Sequence, residues 1–138
     1  MALHLKIITP MRTAVDTEVT SVLVPSVQGE MEVLPGHADI IAAMDNGELT
    51  YRPIGGAAQS VFVGGGFLQV DGEQVMLVTD TVLEAHEIDA SSVEAAVAKA
   101  QEAFRNQSSV LTREESTHLA ASIARQLAML EYRRKKHL

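Results

Sequence analysis

Cysteine is absent from the 138-residue chain. That excludes disulfides and thiolate metal sites and fits a reducing compartment. Aromatic residues make up only 4%, which leaves few platforms for stacking nucleic-acid bases. No apolar run approaches the ~18 residues that would span a bilayer. The opening Met1-Ala2-Leu3-His4-Leu5-Lys6 lacks the basic and long apolar regions of a signal peptide, so none is expected. The most informative absence is local. All nine glycines and four prolines lie at or before Gly72, and residues 73 to 138 contain neither. Glycine and proline punctuate turns and are kept out of helix interiors. A turn-rich segment of short strands is therefore expected first, and uninterrupted helix after it.

Charge is also unevenly spread. Residues 1–84 carry three basic groups (Lys6, Arg12, Arg52) against eleven acidic ones; residues 85–138 carry eight basic against seven acidic. The acidic first part repels nucleic acid, and none is expected as a partner. Four basic residues are consecutive, Arg133-Arg134-Lys135-Lys136. They either complement the dipole at a helix C-terminus or meet an acidic partner surface.

Eight short segments read as strands: Leu3 to Ile7, Val19 to Val24, Gly29 to Leu34, Ile40 to Met44, Gly47 to Arg52, Gln59 to Val63, Phe67 to Val70 and Val75 to Thr79. Their length and spacing predict a sandwich or barrel. No connection among them is long enough for a crossover helix, so antiparallel pairing is expected. Asp71-Gly72 predicts a hairpin with a loop slightly longer than two residues. After Ile88 the period becomes helical. Val93, Ala96, Val97, Ala100 and Phe104 share a face, with Ser91 or Asp89 as N-cap. A polar break follows from Arg105 to Leu111. Thr112-Arg113-Glu114-Glu115 is a capping box, and Leu119, Ile123, Leu127 and Leu130 form one stripe along a helix from Arg113 to Arg134.

Two such helices make an antiparallel hairpin. Its seam is mostly alanine (96, 100, 103, 120, 124, 128) with few large apolar side chains. Full burial of one large side chain contributes roughly 1.5–3 kcal/mol, so a half-buried seam is worth only a few kcal/mol. A competing surface could open the pair.

Candidate chemistry is sparse. Gly64-Gly65-Gly66 lacks the Gly-Lys-Ser/Thr ending of a phosphate loop and reads as a strand entry or bulge. The five histidines (4, 37, 86, 118, 137) have no metal-ligand spacing. Neither a nucleophile elbow nor a Ser/His/Asp arrangement is evident. Met31, Met44, Met76 and Met129 read as core fillers, with Met129, off the leucine stripe, alternatively facing a partner. No catalytic residue, metal or cofactor is expected.

The segment Gly29-Glu30-Met31-Glu32-Val33-Leu34-Pro35-Gly36-His37-Ala38-Asp39-Ile40-Ile41 closely resembles the signature of the epsilon subunit of F-type ATP synthases. Gly65 to Val70, Val75 to Thr81 and Glu87-Ile88-Asp89 match further parts of that family in register. The resemblance implies a ten-stranded antiparallel β-sandwich over 1–86 and a helical hairpin over 87–138. It implies a non-catalytic central-stalk subunit of a proton- or sodium-translocating synthase. The sandwich would sit beside the gamma subunit on the c-ring, with Gln28, Gly29, Glu30 and His37 at that interface. Extended helices would block ATP hydrolysis by touching an acidic loop of the beta subunit through Arg125, Arg133, Arg134, Lys135 and Lys136. The protein would then lie on the cytoplasmic face of a bacterial inner membrane, touching the membrane only through the c-ring.

Glu32 and Asp39 replace the family's usual Gly and Pro, both compatible with strands. The family's ATP pattern is incomplete: Ile88 and Asp89 match, whereas Ser92 and Val93 replace Arg and Ala. Lys99 and Arg125 are the remaining cations for a phosphate. Serine has no fixed charge to offer, so poor ATP binding by the isolated chain is expected. The alternative reading is a small all-β metal-dependent enzyme with a helical oligomerisation tail. It would need a convergent His/carboxylate set, which the sequence does not suggest.

Overall fold

A computed structural model describes residues 2–107, 110 and 112–136. Ser108, Ser109 and Leu111 of the expected polar break, and His137, lie outside the described residues. The chain divides into two compact units, Met1–Glu84 and Ala85–Leu138.

The first unit holds seven strands: β1 (Leu3–Ile8), β2 (Thr13–Ser26), β3 (Gly29–Val33), β4 (Ile40–Pro53), β5 (Gln59–Asp71), β6 (Gln74–Val78) and β7 (Val82–Leu83). Seven is fewer than the expected ten or so because expected neighbours fuse. Ile40–Met44 and Gly47–Arg52 are one continuous β4, and Gln59–Val63 and Phe67–Val70 are one β5. The glycine triplet is what lets β5 run on. Gly65 and Gly66 have φ of +69° and +125°, so the strand bends while its pairing with β4 resumes on both sides. At Gly66 a Cβ would lie 2.0 Å from the Val78 carbonyl oxygen. No other residue type fits there.

Pairing runs β1-β6-β5-β4-β2, and β2 pairs back with β1, so five strands close on themselves. The β3 and β7 strands add to β2 and β5 at the side. Closure removes open edges from the ring. It also corrects the expectation of purely antiparallel pairing, since β1 and β6 are parallel. No crossover helix was needed, because the intervening strands themselves carry the chain around. The β5–β6 loop is only Gly72-Glu73, with Gly72 at φ +62°. That is shorter than expected and has glycine first, as in a type II′ hairpin.

The β core follows the period of two. Leu3, Leu5 and Ile7 on β1, Leu68 and Val70 on β5, and Val75 and Leu77 on β6 are buried, as are Val19, Val22, Val24, Val33, Met44 and Leu49. The one-residue phase change between Val19 and Val22 coincides with a register shift in the pairing of β2.

The second unit holds a 3₁₀ turn (Ala85–Glu87), α1 (Ala90–Gln107) and α2 (Arg113–Lys136). The α1 cap is Asp89, not Ser91. Its Oδ1 accepts hydrogen bonds from the amides of Ser91 (3.1 Å) and Ser92 (3.3 Å). A carboxylate also complements the positive helix terminus, which a hydroxyl does not. On α2 the expected cap holds. The Glu115 amide donates to Thr112 Oγ1 at 3.0 Å, and that hydroxyl donates to Glu115 Oε1 at 3.1 Å. Of the expected α1 face, Val97 is buried, Val93, Ala100 and Phe104 are half-buried, and Ala96 is exposed. Among the described residues of this unit only Ile88, Val97 and Tyr132 are fully buried.

Candidate functional site

With no reactive constellation in the sequence, the informative features are surfaces. The β2–β3 connection, Val27-Gln28, places Gln28, Gly29 and Glu30 together in the open. The Ser26 hydroxyl donates to the Gly29 carbonyl (2.6 Å) and accepts from the Gln28 amide (3.2 Å), so a serine side chain pins the turn. The Val27 amide donates to the Ala43 carbonyl (3.1 Å), which fastens this turn to β4. His37 stands at the other end of β3, roughly 15 Å of strand away. There the Leu34 carbonyl accepts from the His37 amide (3.0 Å) across Pro35-Gly36. Gly36 at φ +88° completes a type II turn. The imidazole is half-buried, with Nδ1 held 2.6 Å from the Ala38 carbonyl. The structure therefore gathers Gln28, Gly29 and Glu30 and sets His37 apart from them.

Sequence reasoning missed a larger feature on the outer face of β1, β6, β5 and β4. Register places Ile8, Val78, Phe67 and Ala43 in one row across the four strands. The adjacent row is Lys6, Met76, Gln69 and Ile41. Ile41 is 73% exposed, Phe67 63%, Val78 48% and Met76 38%. The core side of these strands is already filled by Leu68, Val70, Val75 and Leu77, so these side chains have no interior to enter. A contiguous apolar patch left facing outward marks a contact surface. This corrects the reading of Met76 as a core filler. Met44 is buried, and Met31 packs half-buried on the core. A signal existed: Phe67-Leu68 and Met76-Leu77-Val78 interrupt the alternation with apolar residues on both faces.

The residues of the broken ATP pattern separate. Ile88 is buried, and the Asp89 carboxylate is engaged as the α1 cap. Lys99 is exposed ten residues further along α1, about 15 Å from Asp89 by helical rise. Arg125 is half-buried on α2. The basic run closes α2, where cations favour the helix dipole. Arg133 is half-buried, while Arg134, Lys135 and Lys136 are exposed. Lys136 Nζ sits 5.8 Å from the Tyr132 ring centroid, a cation–π distance. Arg133 and Arg134 line a groove with Ala90, Glu94, Leu130 and Glu131. Two carboxylates therefore balance the two guanidinium groups there.

The expected α2 stripe is shielded at three of its four positions. Leu119, Ile123 and Leu130 are half-buried, but Leu127 is 46% exposed. Met129, off the expected stripe, is half-buried, and Tyr132 is buried. Burial raises the Tyr51 phenol above its ordinary value, and the nearby Glu84 charge adds to the rise. Its hydroxyl donates to Gln59 Oε1 at 3.2 Å.

Residues 2–85 match the family model of the ATP synthase Delta/Epsilon chain β-sandwich domain. The chain belongs to the ATP synthase epsilon family. An ATP synthase epsilon chain of Herpetosiphon aurantiacus is 33% identical over 98% of this chain and 100% of its own length. Another, from Dehalococcoides mccartyi, is 37% identical over 96% of this chain and 95% of its own. The fold matches a chain in the cryo-EM structure of the Euglena gracilis mitochondrial ATP synthase. That match has a TM-score of 0.76 and 20% identity, and covers 93% of this chain and 79% of the other. An epsilon chain is a subunit of the complex and not itself catalytic. Membership in this family sets aside the reading of a metal-dependent enzyme. Among the described residues no helix is long and apolar enough to cross a membrane.

Proposed function

We propose that this chain is a central-stalk rotor subunit of a proton- or sodium-translocating ATP synthase. In this reading its β unit docks on the gamma subunit and the c-ring, and its helices inhibit ATP hydrolysis when they extend. The observation that carries the docking half is the outward patch of Ile41, Phe67, Met76 and Val78. Rings and branched chains left this exposed on a closed sheet gain by being covered. The exposed turn at Gln28, Gly29 and Glu30, and His37 beyond β3, are the polar contacts offered to the same partners. The weakly buried hairpin supports the inhibitory half, because little apolar burial holds it in one arrangement. Its cations, Arg125, Arg133, Arg134, Lys135 and Lys136, suit an acidic surface of the beta subunit. The chain would reach the membrane only through the c-ring, on the cytoplasmic face of a bacterial inner membrane. ATP is expected to bind the isolated chain poorly, since Ser92 supplies no charge and Asp89 is committed to its cap.

The decisive test is co-purification with gamma. Phe67→Asp should abolish it while leaving the β unit folded, because Phe67 lies outside the core. Retained binding would reject this docking face. Removing residues 86–138 should raise ATPase activity of the assembled enzyme without loss of assembly. Unchanged activity would reject the inhibitory role.

A further inference from the structure

The alanine-rich seam leaves room between the helices. Gln101, Phe104 and Arg105 stand at i, i+3 and i+4 on α1 and so share a face. Ala120 and Ile123 do the same on α2. Among the described residues these five line a cavity of about 440 Å³ that opens to solvent. That lies within the range of roughly 300–1,000 Å³ typical of small-molecule sites. The space is unfilled because Ala120 contributes only a methyl group to a wall it shares with Phe104. Phe104 and Ile123 are each half-buried, so each keeps apolar surface for a guest to cover. The polar groups stand together on the α1 side. Arg105 is the one charged residue among those described in the lining, and its guanidinium offers a planar pair of donors that matches a carboxylate. Gln101, one turn earlier, adds an amide donor. Lys99 and Arg125, the cations left to the incomplete ATP pattern, stand two positions from Gln101 and Ile123 and therefore on other faces. One cation beside an apolar wall suits a single carboxylate on an apolar body, not a polyphosphate.

We propose that this cavity is a binding site for a small anionic amphiphile, a monocarboxylate with a short aliphatic or aromatic body. The carboxylate pairs with Arg105 and accepts from the Gln101 amide, and the body lies against Phe104, Ala120 and Ile123. Such a ligand touches both helices, so by mass action it stabilises their pairing. The site is independent of the docking and inhibitory roles proposed above, and none of its residues belongs to the apolar patch of the β unit.

Octanoate, a straight-chain monocarboxylate, is the probe. It is titrated below its micelle-forming concentration into the isolated full-length chain and followed by amide NMR. Saturable shifts are expected at residues 101–105 and 120–123. Acetate, which lacks the body, and octylammonium, which reverses the charge, should each bind at least about tenfold more weakly. Arg105→Gln should weaken octanoate about tenfold, through loss of a charge-assisted hydrogen bond. Ala120→Leu should fill the cavity and abolish the shifts while circular dichroism reports unchanged helix content, since leucine is a good helix former. Ala120→Met repeats the measurement should Ala120→Leu fail to fold. Lys99→Gln should bind as the wild type does. Shifts that never saturate, shifts spread over Ile41, Phe67 and Val78, or equal binding of octylammonium would mean adventitious association of a surfactant and overturn the proposal. So would wild-type affinity in Arg105→Gln or in the Ala120 variants.

Discussion

The two units of this chain are stabilised to very different degrees. In Met1–Glu84 buried residues recur on strand after strand, and Leu3, Leu5, Ile7, Leu49, Leu68 and Leu77 have no exposure at all. In Ala85–Leu138, Ile88, Val97 and Tyr132 are the fully buried residues among those described. The strands also close their hydrogen bonding into a ring, whereas each helix satisfies its own backbone and needs little from its neighbour. Rigid elements suit transmitting force, and elements that move are drawn from the low-stability end of a structure. The contrast suits the proposed division of labour, docking by the strands and regulation by the helices.

The contrast breaks most sharply at Gly66. Gly66→Ala would need a Cβ against the Val78 carbonyl, on a backbone with φ +125°. It should cost about 4 kcal/mol or more, enough to unfold the β unit in denaturant titrations. Helical amides should lose far less protection in hydrogen exchange, and equal loss in both units would mean that they unfold as one.

A matched pair of deletions sharpens the comparison. Leu5→Ala should cost about 3 kcal/mol, for a fully buried leucine in a closed core. Val97→Ala should cost about 1 kcal/mol, because the lost burial is partly offset by alanine's better helix propensity. Similar costs, read from exchange in each unit, would show that the helices are as tightly held as the strands.

The smallest effect is at Tyr51. Its folded-state phenol is raised, so its contribution is complete below the unfolded value near 10 and is lost as pH rises through the folded value. Tyr51→Phe should remove a shallow alkaline loss of β-unit stability above about pH 10, visible in melts as a function of pH. An unchanged alkaline slope would place that loss on other groups.

Much of the fold could be read in advance because it depends on local chemistry. The loss of glycine and proline after Gly72 marks the change from turns to helix. Thr112 and Glu115 announce the start of α2, and the alternation of Leu3, Leu5 and Ile7 announces β1. Asp89 was legible as a rival cap, and the choice over Ser91 fell to charge at the helix terminus. The surfaces were harder. The turn at Gln28, Gly29 and Glu30 lies in one stretch of chain and is visible as such. The patch of Ile41, Phe67, Met76 and Val78 combines three strands, and no single segment reveals it.

The sequence by itself determined the two physical regimes, the family, the Thr112 cap of α2 and the period of most elements. Tertiary structure alone decided that β4 and β5 run unbroken, that β1 pairs parallel with β6, that Phe67 faces outward and that α2 turns Leu127 to solvent. A period states which residues share a face. Whether that face is covered is a relation between elements far apart in the chain, fixed only when the ring closes and the helices pack.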